Sequence, residues 1–68
     1  MTREQRETLV NDMNAVLSIE KEAVEEGKME KAERCGSMFY GMERTLRTLG
    51  YKVVVNKETN TVSIEEQE

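Results

Sequence analysis

Residues 29–49 read MEKAERCGSMFYGMERTLRTL, and the breadth of their apolar face decides what the rest of the chain must do. At about 100° per residue, Met29, Ala32, Cys35, Gly36, Met38, Phe39, Met42, Leu46 and Leu49 spread over roughly half the circumference of a helix. One neighbouring helix covers a narrower stripe than that. The segment therefore calls for two partners. One is the residues that precede it; the other is the C-terminal segment or a second copy of the chain.

Upstream, Thr2 and Gln5 have the Thr-x-x-Gln spacing of a capping box, and residues 3–26 contain no glycine or proline. Leu9, Val10, Met13, Val16, Leu17, Ala23 and Val24 recur at i, i+3 and i+4, which predicts a one-sided helix over 3–26. Gly27 is the residue type favoured where a chain turns left-handed after a helix. The apolar pattern restarts at Met29, so the second helix is predicted over 28–49. So short a break implies an antiparallel helical hairpin.

Downstream, Gly50 ends the second helix and the period falls from 3.6 to 2. Tyr51, Val53 and Val55 alternate with Lys52 and Val54, and Val62 and Ile64 alternate with Thr61, Ser63 and Glu65. Residues 56–60, NKETN, are polar and carry asparagines that tolerate turn conformations. If Asn56 faces Thr61, then Val55 meets Val62 and Val53 meets Ile64, and both apolar sets fall on one face. The expectation is a β-hairpin with strands over 51–56 and 61–65 and an acidic tail over 66–68. A lone hairpin is marginal in water, so its apolar face should lie over the helices, chiefly the second. The fold class expected is α+β: one domain over 1–68, a helical hairpin followed by a C-terminal β-hairpin packed on it.

Composition narrows the function classes. A chain of 68 residues buries about 60% of the surface its unfolded form exposes, and small domains usually add disulfides, a metal or self-association. One cysteine and no histidine argue against the first two. Self-association remains, as a homodimer or a higher oligomer. Ten basic and fourteen acidic residues give a net charge of −4, which disfavours a polyanionic partner. Apolar runs such as Val53 to Val55 are too short to span a bilayer, and the first residues do not resemble a signal peptide. The expected setting is cytoplasmic, which suits an unpaired thiol.

The chemistry-bearing residues have plainer readings. Cys35 lies in the middle of the apolar arc and no histidine can act as its base, so it reads as a small buried hydrophobe. Glu20 and Glu43 lie on the two helices but differ by about eight residues in facing rank, or roughly 12 Å at 1.5 Å per residue. That is too far for a shared acid–base pair. Glu20 is expected to pair with Lys31 or Arg34 and Glu43 with Arg47; a partly buried Glu20 is also a candidate register-setting residue in an oligomer. From Tyr40 to Lys57 there are four basic residues, Arg44, Arg47, Lys52 and Lys57, against Glu43 alone, a local charge of +3. They form a candidate basic patch, but without the dense stripe and interleaved aromatics of a nucleic-acid binder. Arg44 and Arg47 also sit where cations complement a helix C-terminus. No enzyme class and no cofactor or metal site emerges from these patterns.

Gly36 and Gly41 each cost a helix roughly 1 kcal/mol relative to alanine and so need a reason. Gly36 would permit close backbone approach, most simply to the first helix beside Glu20. Gly41, with Tyr40, would give room to a second molecule, and Met38 and Met42 add adaptable apolar surface. Met38, Tyr40, Gly41 and Met42 are therefore the candidate interaction surface. Residues 27–32, GKMEKA, then Gly36 and Gly41, and residues 42–51, MERTLRTLGY, resemble short uncharacterised proteins of Gram-positive phages and mobile elements. The resemblance covers about half the chain and transfers no activity and no functional residues. It implies an accessory role, binding and inhibiting or regulating a host protein. The leading expectation is a homo-oligomeric, non-enzymatic interaction protein. A small nucleic-acid-binding regulator ranks second, and an oligomer that sequesters a small ligand between subunits third.

Overall fold

In the computed structural model, which describes residues 1–66, the first helix starts at the expected cap. Thr2 Oγ1 accepts from Gln5 N at 3.1 Å while Gln5 Oε1 accepts from Thr2 N at 2.8 Å, so two otherwise orphaned amides are satisfied. Helix α1 runs Arg3–Glu25. It stops one residue short of the expected end because Glu26 is its cap and Gly27 turns left-handed at φ 73°. Lys28 N donates to Ala23 O at 2.8 Å and Gly27 N to Val24 O at 3.1 Å, the bond pair that closes a glycine-terminated helix. Lys28 Nζ also lies 2.8 Å from Glu26 Oε2. That hydrogen bond holds the Glu26 carboxyl below its ordinary range and raises the Lys28 ammonium. Both groups face solvent, so the pair marks the turn more than it stabilises it.

Helix α2 runs Met29–Thr48, one residue shorter at each end than the sequence pattern. Leu49 caps it and Gly50 adopts φ 92°. Strands β1 (Tyr51–Asn56) and β2 (Thr61–Glu66) then pair antiparallel, with Val55 opposite Val62 and Val53 opposite Ile64. This is the register expected from the two apolar sets. Asn56 Oδ1 accepts from Glu58 N at 3.0 Å and Thr59 N at 3.3 Å, and Asn60 takes φ 55°. Asparagine serves both roles because its short amide can replace a backbone acceptor and tolerates the left-handed region.

Two expectations change. Glu66 belongs to β2 and not to a tail: its Oε1 lies 3.5 Å from Arg6 Nη2 on α1. The rest of the expected tail, Gln67 and Glu68, lies outside the described residues. The β-hairpin also does not lie chiefly on the second helix. It straddles the pair, β1 against α2 and β2 against α1. Asn14 explains the second contact, since its Oδ1 accepts from Val62 N at 2.8 Å and ties the middle of α1 to the last strand.

Met13, Leu17, Leu46, Val62 and Ile64 form the buried core, with Leu9, Val10, Phe39, Met42, Tyr51 and Val53 packed at its margin. Toward the helical turn the buried residues are Val16, Ala23, Ala32 and Cys35. Among the described residues no helix is long and apolar enough to cross a membrane.

Candidate interaction face

The β-hairpin covers one broad side of the helical hairpin and leaves the other open. On α1, Arg6 and Asn14 mark the covered side through their bonds to Glu66 and Val62. Thr8, Asp12, Ala15 and Ile19 follow one another at helical spacing about 160° from that side, at 100° per residue. They are exposed. On α2 the matching stripe is Arg34, Met38, Gly41, Thr45 and Leu49, all exposed. Ile19 is 42% exposed, Met38 55% and Leu49 67%, which for large apolar side chains is substantial contact with water. Near the start of α1 and the end of α2 this side deepens into an open trough of about 1340 Å³. Leu9, Met42, Leu46 and Tyr51 line its floor, and Gln5, Thr8, Gly41 and Thr45 are among the residues around them.

The expected patch of Met38, Tyr40, Gly41 and Met42 is therefore not one surface. Met38 and Tyr40 are two residues apart, which puts them about 160° apart around the helix. Met42 is half-buried and packs against the core. Met38 and Gly41 belong to the open face; Tyr40, though exposed, points away from it. Ile19 and Leu49 complete the face. The sign of Ile19 in the sequence is that it is the one large apolar residue of α1 lying off the core-facing stripe.

Glu20 is half-buried, with Oε2 3.1 Å from where a Cβ on Gly36 would stand. What lies close to Gly36 is the tip of the Glu20 side chain and not the backbone of α1, so the glycine gives the carboxylate room instead of bringing the two backbones together. The expected pairing of Glu20 with Lys31 or Arg34 is not present among the described residues: Arg34 reaches back to Glu30 at 3.9 Å, because i, i+4 neighbours on one helix are nearer than the facing helix edge. Glu43 does pair with Arg47, as expected. That pairing removes Arg47 from a free basic patch. Arg44 is on α2, Lys52 on the outward face of β1 and Lys57 in the hairpin turn. These three cations fall on a helix, a strand and a turn, unlike the dense stripe that tracks a phosphate backbone. Cys35 is buried, as its place in the apolar arc implies.

No protein family, curated protein or solved structure matches this chain. Its function is therefore read from the chemistry of its own surface. That chemistry is an apolar seam, Ile19 and Met38 with Leu49 beyond, set among small and hydroxylated residues and flanked by charges.

Gly41 gives a direct check on this face. A Cβ built there meets nothing within 4 Å, so the fold of the single chain gains nothing from the missing side chain. Gly41→Ala should stabilise dilute protein by about 1 kcal/mol, the helix-propensity difference, read as a higher urea midpoint. A lowered midpoint would mean that the glycine is required inside the protomer.

Proposed function

We propose that this chain is a non-enzymatic interaction protein that self-associates and acts in the cytoplasm by binding and inhibiting or regulating another protein. The observation that carries the reading is the open helical face, where Ile19, Met38 and Leu49 are exposed together on the side the sheet leaves uncovered. A resemblance of residues 27–32, Gly36, Gly41 and residues 42–51 to short proteins of Gram-positive phages and mobile elements fits an accessory role of this kind. A negative overall charge, with Arg44, Lys52 and Lys57 spread over a helix, a strand and a turn, favours protein over nucleic acid as the partner.

Sedimentation velocity over a dilution series tests the self-association. The sedimentation coefficient should fall on dilution, as for a reversible oligomer. A single monomeric species at every concentration would sink the reading. The second half of the proposal is tested by affinity capture from host extract: a specific partner should be retained by the native chain and lost with Met38→Glu. Retention that depends on nucleic acid and disappears with Arg44→Ala would move the assignment to a nucleic-acid regulator.

A further inference from the structure

We infer that a second copy of this chain seats on the open helical face about a two-fold axis parallel to the helices, with α1 of each copy against α2 of the other. This rests on the self-association reading above and adds the face, the occupant and the orientation.

Size selects the occupant. The molecule measures 39 × 21 × 19 Å, so one broad side is long and wide enough to supply the ~800 Å² of accessible surface per partner that a standard protein interface buries. A lone peptide helix, about 10 Å across, would leave nearly half of that side uncovered. A second helical hairpin matches both dimensions.

Charge selects the orientation. The open stripe of α1 carries Asp12 and its margins Glu4 and Glu22, the last at the outer edge of α1 beside the hairpin turn; none of the three has an ion-pair partner within 4 Å among the described residues. The open side of α2 and its margin carry Lys31, Arg34 and Glu30, a net charge of +1; the Arg34 contact to Glu30 is 3.9 Å long and exposed at both ends, so it competes weakly. Laying α1 on α1 would set acid on acid, and α2 on α2 base on base. Only α1 on α2 brings opposite charges together.

The hairpin register then fixes the neighbours. Glu20 touches Gly36, so residues whose numbers add to about 56 stand level on the two helices. A two-fold axis along the helices preserves that level. It places Ile19 over Met38 of the second copy, Glu22 over its Arg34 and Ala15 over its Gly41. Ala15 and Gly41 are both exposed, and their small size lets the helices close in at mid-length so that the apolar pair beside them is covered. The product is four packed helices with a β-hairpin on each outer side.

The test uses the full chain in sedimentation equilibrium, with circular dichroism to check folding, because Ile19 and Met38 are exposed and their replacement leaves the core intact. Ile19→Glu and Met38→Glu are each expected to weaken dimerisation at least tenfold with helix content unchanged. A mixture of Ile19→Cys and Met38→Cys chains should form the mixed disulfide under mild oxidation in preference to either self-linked product, Cys35 being buried. A native chain that stays monomeric overturns both this assembly and the self-association reading. A dimer that survives both glutamate variants overturns the face and leaves self-association standing. Preferential linking of Ile19→Cys to itself overturns the orientation.

Discussion

Met13→Ala is expected to abolish the cooperative unfolding transition of this chain at room temperature. Met13 is wholly buried, at 0% exposure, and belongs to the cluster in which α1, α2 and β2 all meet. Truncating a buried methionine to alanine costs about 2–5 kcal/mol, from lost transfer energy and from the cavity left behind. A core of this size rarely supplies more than about 3–5 kcal/mol in total. The loss therefore rivals the whole stability. Far-UV circular dichroism across a urea series gives the readout, with Met38→Ala as the control, an exposed methionine whose truncation should shift dilute protein by less than about 0.5 kcal/mol. Equal midpoints for the two variants would show that the cluster around Met13 is not the centre of the fold.

Asn14→Ala should be the next most damaging change, although it removes no apolar contact. Its Oδ1 is the acceptor for Val62 N at 2.8 Å, in a part-buried position. An amide left unsatisfied in such a place costs about 1–3 kcal/mol. The effect should concentrate in the β-hairpin, because this bond adds to the packing of Met13 and Leu17 against Val62 and Ile64 in docking β2 on α1. Hydrogen exchange at Val62 and its neighbours should accelerate well beyond exchange in the middle of α1, and the urea midpoint should fall. Asn14→Asp keeps an acceptor and should recover much of the loss. Uniform acceleration through both helices would instead assign Asn14 a general role in α1.

The architecture was legible in the sequence because each element announces itself by a different local rule. Thr2 with Gln5, Gly27, Gly50 and the change of period after Tyr51 are all signals within a few residues, and the strand register follows from matching two short apolar sets. That the sheet packs on the helices was legible, but its placement across both of them was not. It depends on Asn14, a polar residue outside the apolar stripe, meeting a backbone amide 48 positions away; no local pattern records such a bond. The candidate face was half legible for a related reason. Met38 and Gly41 were picked out as surplus to the core, but nearness in sequence grouped them with Tyr40, which helical geometry turns to another side. Ile19 escaped because it belongs to α1, where the stripe already looked complete. Only the position of the β-hairpin shows which side of the helical pair is left open.

Cys35 gives the molecule a chemical clock. Its sulfur is the only thiol in the chain and is shut between the helices at 7% exposure, so an added thiol reagent can reach it only when the two helices part. In an excess of reagent, the labelling rate then measures how often that parting happens in the native state. One residue with no chemistry of its own thereby times the opening of the seam on which the open face is built.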